Sequence, residues 1–477
     1  MKVQHSTFNI QHRTPKPAQG RRALDVERST LNVECSQNRH GSVLIIVLWV
    51  CIGLVAIALY FANSMTYELR ASDNRASGLV TDQAIEGAAR YVSYVLATYA
   101  TNGVMPATNL FVSAAVPVGD ARFWLIGRDP SGTPSSEPYF GLIDEGSKLN
   151  LNTANTNALS YLPNMTADFA QAIVDWRSTN SSGAYTLDYA QLDYPEKEAP
   201  FETVDELRLV YGATMDLLAG DDVNGNGVLD VNETNSSGAG ELDSGLFEYT
   251  TVYTREPNFH SDGTTLTNVN TAGEEGLQSL FEAAGISSAA ARAAAVTSAF
   301  ARQGPCRGLL DFCLRCEIAG MSSDDFAKIS GDVTTSTAAY IRGRVNVNTA
   351  GVDVLTALLT GAGVDQNTAS GTAQSLITYR QQNPNNLTSI AWVVDALGNT
   401  SASLRALARG DYITTQTFQF TADIAAVGPF GRGYRRVKFI FDTSDGTPKI
   451  IYRQDLSRLG WALGEKVRET WVAQATP

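Results

Sequence analysis

Ser42 to Met65 is an uncharged, mostly apolar run, and the chain beyond it mixes apolar and polar positions in the manner of a soluble body. The run matches the ~20 residues that a helix needs to cross the hydrocarbon core of a membrane, and it exceeds the ~7–15 apolar residues of a secretory signal. On its far side Phe61-Ala62-Asn63-Ser64-Met65-Thr66-Tyr67-Glu68-Leu69-Arg70 holds neither Pro nor Gly, so the helix is expected to continue into water. Apolar residues at helical spacing carry it through 66–100, most clearly over Ala84-Ile85-Glu86-Gly87-Ala88-Ala89-Arg90-Tyr91-Val92-Ser93-Tyr94-Val95-Leu96. Strands are expected over 110–118 and 122–126, then a Pro/Ser/Gly-rich turn at 129–138 and a short strand within 141–150. From Asp411 the pattern turns to strands again, over 412–423, 436–441 and 449–452, with turns at 428–433 and 444–448. The economical assembly is one antiparallel sheet whose two halves flank a long insertion.

The insertion carries an internal repeat. Asn150-Leu151-Asn152-Thr153-Ala154, Asn268-Val269-Asn270-Thr271-Ala272 and Asn346-Val347-Asn348-Thr349-Ala350 share one pattern, with Leu six and nine residues after the Thr: Leu159/Leu162, Leu277/Leu280 and Leu355/Leu358. The expected physics is a helix start, in which the Thr hydroxyl caps free N–H groups and leucines three apart enter a core. In the middle copy Glu274 stands three after Thr271, as in a capping box. The first and last copies extend further: 170–177 matches 373–380, and each is followed by a capped short helix, at 201–207 and 387–393. The middle copy reads as looser after its first helix. Residues 149–400 are thus expected to form a helical domain of three related modules. Helical hairpins of this kind also occur in DNA-binding modules, where glycine-led turns meet phosphate; only Gly361-Ala362-Gly363-Val364 comes close, so packing is the reading adopted.

Charge sharpens the division. The chain has 36 Lys+Arg and 49 Asp+Glu, a net of −13; residues 1–41 hold seven basic and three acidic residues, a net of +4, which leaves −17 for the remainder. A basic segment before the anchor and an acidic body after it fit a leader-in, body-out orientation, and the acidic body disfavours nucleic acid as a partner. Histidine outside the leader is reduced to His260, expected in a solvated loop, so Ser-His and Cys-His hydrolases and His-based zinc sites have almost nothing to work with. No enzymatic activity is expected. Beyond the anchor the cysteines are Cys306, Cys313 and Cys316; Cys313-Leu314-Arg315-Cys316 lies in an apparent helix, which favours a disulfide or plain packing over a metal.

One motif carries chemistry. Residues 222–233, Asp-Val-Asn-Gly-Asn-Gly-Val-Leu-Asp-Val-Asn-Glu, fit the calcium-loop pattern D-x-[DN]-x-[DN]-G-x5-E. The proposed ligands are Asp222, Asn224, Asn226, the Val228 carbonyl, Asp230 through water, and Glu233, with Gly227 permitting the sharp turn. The exit, 234–238, will not continue a helix, so a structural calcium clip of weak affinity is expected; Glu241 and Asp243 are near in sequence.

With these residues in place the chain resembles a known family, the large minor pseudopilin (the K subunit) of type II secretion systems. The resemblance rests on the Gly41–Ser42 junction before Val43-Leu44-Ile45-Ile46-Val47-Leu48-Trp49-Val50, and on Lys148-Leu149-Asn150-Leu151-Asn152-Thr153 and Ile173-Val174-Asp175-Trp176-Arg177. It rests also on Ala199-Pro200-Phe201-Glu202-Thr203-Val204-Asp205-Glu206-Leu207, Val345–Ala350 and Ile450-Ile451-Tyr452-Arg453. It implies an α+β pseudopilin fold: a long N-terminal transmembrane helix packed on a small antiparallel sheet, with a large all-helical domain of hairpin-like repeats inserted. The expected division is a cytoplasmic leader 1–41, a spine helix 42–100, the first part of the sheet 101–148, the insertion 149–400 and closing strands 401–477. The resemblance further implies that a prepilin peptidase cuts between Gly41 and Ser42, with methylation of the new amino terminus. Ile46, where most pseudopilins carry Glu, implies a subunit with none above it. The implied role is a tip subunit of a periplasmic pseudopilus, anchored by one span in the inner membrane with its body in the periplasm. Its helix would bundle with other minor pseudopilins, and its bulky domain would stand where secreted cargo and the outer-membrane secretin are met. Calcium occurs in that family's helical domain. A minor pilin of a type IV pilus, acting as initiator or adhesin, is the alternative. The middle repeat, roughly 255–340, is additional to the family's usual two.

Overall fold

The computed structural model describes residues 40–130, 135–179, 183–236 and 242–475; the leader up to residue 39 and Glu241 lie outside what is described, and at the Gly41–Ser42 junction only the backbone is described. The chain divides into two compact units, residues 1–69 and 70–477. One helix, α1 (His40–Tyr99), contributes to both. In the first unit its large apolar side chains from Val43 to Phe61 are all at least 54% exposed. Among the described residues this is the one helix long and apolar enough to cross a membrane.

In the second unit α1 packs on an antiparallel sheet. Ala84, Ile85, Ala88, Ala89, Val92, Val95 and Leu96, spaced three and four apart, form its buried stripe. The sheet comprises β1 (Val116–Val118), β2 (Ala121–Ile126), β3 (Ile143–Asp144), β4 (Gln419–Val427), β5 (Tyr434–Asp442) and β6 (Lys449–Asp455), in the order β1-β2-β4-β5-β6 with β3 also pairing β4. Phe123, Leu125, Phe420, Ala422, Ile424, Val437, Phe439 and Phe441 meet the helix. The strand expected over 110–118 is shortened because the Tyr91 hydroxyl takes the backbone of Val112, accepting its N–H at 2.9 Å and donating to its carbonyl at 3.0 Å. The strand expected over 412–423 is split: Ile413–Thr414 belongs elsewhere, and the Thr417 N–H donates to Gly103 before β4 begins. A closing helix, Gly464–Ala475, has no counterpart in the sequence-based expectation.

Between β3 and β4 lie the three modules, and each is closed on itself by a two-residue parallel ladder. Leu149–Asn150 pairs with Thr250–Thr251, Thr267–Asn268 with Val333–Thr334, and Val345–Asn346 with Ile413–Thr414. The third module therefore runs past the boundary expected at residue 400 and includes the helix Ala402–Leu407. The middle module hangs on an antiparallel stem of Arg255–Pro257 and Tyr340–Arg342. The insertion is accordingly helical with small ladders at its joints, and one continuous apolar core runs through all three modules.

The repeated motif does something other than cap a helix. Thr153 and Thr271 donate to the carbonyls of Asn150 and Asn268, and Thr349 donates at 2.5 Å to Asp144. The helix Gly273–Ala283 has Ala272 at its N-cap with no side-chain cap, so the expected capping box at Glu274 is absent. The motif is a tight turn closed by the Ala N–H on the first Asn carbonyl, at 2.9 Å in all three copies. The first Asn stiffens it by accepting from the second Asn's N–H, at 2.8, 3.0 and 3.0 Å. The second Asn then reaches across its module. Asn152 exchanges two bonds with the Phe201 backbone, Asn270 two with the Cys306 backbone, and Asn348 donates to Leu387 while accepting from the Trp392 indole. In the first and third modules an arginine, Arg177 or Arg380, also donates to two carbonyls of the turn.

The middle copy is thus a full module, with helices Gly273–Ala283, Ala289–Gln303, Leu309–Ile318 and Ser323–Ile329 in the same succession as its neighbours, and not the looser unit expected. Gly361, the candidate phosphate turn, is used for packing: a Cβ there would lie 2.5 Å from that of Ala158. His260 sits in a tight turn closed by its own N–H and C=O, and is about one-third exposed.

The clasp predicts that Asn270→Ala will open the middle module. Two bonds to the Cys306 backbone are lost, at a cost of about 2–3 kcal/mol, and Cys306, Cys313 and Cys316, now buried free thiols, should react with a thiol reagent at least tenfold faster than in the wild-type protein. Unchanged thiol kinetics would mean that the clasp does not hold the module shut.

Candidate metal centre

The 222–233 loop follows the short helix Met215–Ala219, which Thr214 caps by accepting from Leu217. Its base is closed by backbone contact: the N–H groups of Asp221 and Asp222 donate to the Asp243 carbonyl at 2.7 and 3.3 Å. The chain passes so closely there that a Cβ on Gly220 would lie 2.3 Å from that oxygen, and one on Gly245 2.4 Å from the Ala219 carbonyl carbon. At Gly227 φ is +83°, a conformation that favours glycine, and a Cβ would crowd the Arg128 side chain at 3.0 Å.

Inside the loop the predicted ligands are brought together. Asp222 accepts from the N–H groups of Asn226 and Gly227 at 2.9 and 2.7 Å. Glu233 accepts from those of Asn224 and Asp230 at 3.1 and 3.0 Å, and Asp230 Oδ2 accepts from the amides of both Asn224 and Asn226. Asn226 Oδ1 accepts from Val228 N–H. Asp222, Asn224 and Asn226 are buried. The carboxylates of Asp222, Asp230 and Glu233 do not gather into a three-acid cluster; each is spent on loop N–H donors. Asn224 Oδ1 is buried with no hydrogen-bond partner. An oxygen left over in a ring of oxygens is what a hard cation would use, and an Asn amide exchanges its O and N by rotation about one bond. The donor set therefore fits calcium in kind, with the Asn224 amide and the Asp230 carboxylate the groups that would reorient. Burial pushes the Asp222 carboxyl above its ordinary range, against the pull of the Arg128 charge, and burial likewise raises Glu233. Both shifts express the cost of burying negative charge.

What aims the loop lies outside its motif. Arg436 of β5, fully buried, donates to the carbonyls of Asn224 and Gly225 and forms a two-point pair with Asp423 of β4, at 2.9 and 2.5 Å. Arg128, just beyond β2, donates to the Gly225 carbonyl at 3.3 Å while paired with Glu248 through two 2.8 Å bonds. A cavity of about 150 Å³ beside the loop is lined by Arg128, Asp222, Asn224, Asp423 and Arg436. These two arginines were not anticipated from the sequence. The available signal was a period-two strand in which Arg436 and Lys438 share a face with each other and not with Val437 and Phe439.

The same polar face of the sheet continues under the modules. Asp144 accepts from Gly146 N–H, the Asn346 amide and the hydroxyls of Thr349 and Thr417, yet burial still pushes its pKa up to about 6. Burial raises neighbouring Glu145 too, but the Lys148 and Lys438 charges with the Thr251 and Thr421 hydroxyls outweigh it and hold the group below its usual range. Arg255 pairs with Asp442, and Arg344 with Glu256 and Asp411. The cysteines lie apart from this seam, in the core of the middle module; burial raises the Cys306 thiol to about 12, which suits packing and not redox chemistry.

Because Arg436 is fully buried, Arg436→Met should cost about 3–5 kcal/mol by stranding Asp423. The double variant Arg436→Met/Asp423→Leu should recover most of that loss in urea unfolding. Equal destabilisation of the single and double variants would show that the loop carbonyls, not the carboxylate, are what Arg436 stabilises.

No protein-family model matches the sequence, and no curated protein matches it. Among solved structures, a chain of the GspK–GspI–GspJ complex from the type 2 secretion system of enterotoxigenic Escherichia coli is similar to this one: the alignment covers 81% of this chain and 99% of that chain, at 9% identity and a TM-score of 0.38.

Proposed function

We propose that the chain is a non-enzymatic minor pseudopilin that caps the tip of a type II secretion pseudopilus. The observation that carries the reading is a single helix, α1, apolar and exposed over Val43–Phe61 and buried against an antiparallel sheet over Ala84–Leu96. Such a helix suits a subunit that is stored in a bilayer and assembled by bundling its apolar stretch with those of partner minor pseudopilins. The insertion of three modules between β3 and β4 makes the body bulky, which suits an end position better than repeated stacking. Ile46 supports the same position, since it offers no carboxylate to an amino terminus above it. In this reading a prepilin peptidase removes residues 1–41 at Gly41–Ser42, the body faces the periplasm, and cargo or the secretin is met by the inserted domain.

The test is intact mass and N-terminal sequencing after co-expression with and without a prepilin peptidase. A peptidase-dependent start at Ser42 carrying one added methyl is expected. An uncut leader, or a cut beyond the apolar run, removes the pseudopilin assignment. Loss of secretion on deleting the gene, with surface attachment and twitching intact, separates this role from that of a type IV minor pilin.

Calcium is the proposed structural ion of the 222–233 loop, held by Asp222, Asn224, Asn226, the Val228 carbonyl, Asp230 and Glu233. A dissociation constant of about 10⁻⁴–10⁻³ M gives about 1.4–2.7 kcal/mol of stabilisation at ~10 mM ion. Asp222 and Glu233 have raised pKa values in the folded state, so the ion-free protein loses stability as pH rises through their titration. The increment in melting temperature on adding calcium should therefore be largest near neutral pH and shrink as acid protonates the loop. An increment absent at pH 7, or unaffected by Asp222→Asn with Glu233→Gln, would reject the site.

A further inference from the structure

The three modules share one plan, and this gives an internal control for what each adds to it. From the second helix through the fourth, the first module (Ala167 to Ala219) has ten acidic and three basic residues, a net of −7. The middle module (Ala289 to Ile329) has four acidic and five basic, and the third (Gln366 to Leu407) one acidic and two basic, a net of +1 each. Apolar exposure divides the same way. Leu187, Leu192, Leu209, Tyr211 and Met215 of the first module are 38–79% exposed, whereas among the described residues of these spans only Ile318 of the middle module is comparably exposed, and no large apolar residue of the third. Folding therefore does not require either feature.

The exposed groups sit on a rigid base. Tyr211 packs on Tyr185 and Tyr189 with ring centroids 5.7 and 6.2 Å apart, and Tyr189 packs on Trp176 and Tyr194. The Tyr194 hydroxyl donates to the Leu209 carbonyl and the Tyr189 hydroxyl accepts from Tyr211 N–H, which fixes the segment bearing Leu209 and Tyr211. Arg208 reaches the Met215 sulfur. Two cations serve this region, and both are engaged internally: Lys197 with Glu206 and Glu202, Arg208 with Asp205. Asp193, Glu198 and Asp216, in the same stretch of chain, are exposed. Pre-ordered aromatic and aliphatic side chains in a module of net −7 bind tightly where a partner supplies apolar anchors and positive charge together.

We infer that the outer surface of the first module, centred on Leu209 and Tyr211, is a docking face for a partner protein that presents a cationic segment with apolar side chains. The inference stands on the contrast among modules and not on the pseudopilin reading. The probe is a synthetic amphipathic helix of Lys and Leu, titrated by fluorescence anisotropy against the full chain in detergent micelles, with the same peptide in Glu and Leu as control. Saturable binding that Leu209→Ser/Tyr211→Ser weakens about tenfold, that Asp193→Asn/Glu198→Gln/Asp216→Asn makes less salt-sensitive, and that protects 185–216 from hydrogen exchange is expected. Binding that neither set of variants alters, protection mapping to the middle or third module, equal affinity for the Glu/Leu peptide, or a self-associated chain with 185–216 already protected would each overturn it. Both variants must keep the wild-type melting temperature; if the first set does not, the three exposed-carboxylate substitutions alone carry the test.

Discussion

A sheet face that is polar by sequence and buried by structure sets the terms for the rest of the protein. Every residue of β4 is buried, Thr421 and Asp423 included, and its neighbour β5 turns Arg436 and Lys438 to the same side. A charge cut off from water is tolerated only when a partner of opposite sign and enough hydrogen bonds surround it. Here the partners come from the inserted modules and from the segments flanking them: Glu145 and Lys148 before the first module, Arg255 and Arg344 at the stem, and the loop carbonyls over Arg436. The modules cannot slide on the sheet without breaking several such pairs at once, so specificity of placement is what this seam supplies, beyond any net gain in stability.

The 222–233 loop belongs to the same seam. Its ligands are local in sequence, yet the cradle that orients it is assembled from β5 through Arg436 and from the end of β2 through Arg128, which pair with Asp423 and Glu248. An ion bound there would fix the first module to the sheet as well as the loop to itself. Even a modest affinity would then stabilise a contact between parts of the chain that are about 200 residues apart, as Asn224 and Arg436 are.

The modules show how a short motif can be recognised for the wrong reason. Asn-x-Asn-Thr-Ala is legible as a repeat, and the leucines after it do enter the core. Its work, however, is done by the second asparagine, whose amide pairs with backbone 49, 36 and 39 residues away in the first, middle and third modules, and in the third also with the Trp392 indole. Propensity and capping rules see only neighbours in sequence, and so they assigned the threonine a helix cap that it does not make. The middle module looked loose because its second helix, Ala289–Gln303, is mostly alanine, although Asn270 and the Cys306 backbone preserve the same clasp.

The sequence by itself determined what depends on neighbours along the chain: the apolar half of α1, the helical stripe from Ala84 to Leu96, the strands near the C-terminus, the threefold repeat and the spacing of the loop ligands. Each follows from periodicity or from glycine and proline placement, which are local properties. Only the tertiary structure decided which face of β4 and β5 would see water, since alternation gives two faces and does not say that both are covered. It decided likewise the three parallel ladders that close the modules and the two arginines under the loop. Those contacts join residues 66–212 positions apart, and their energy comes from removing charge and backbone groups from water together, a condition no segment meets before the chain has folded.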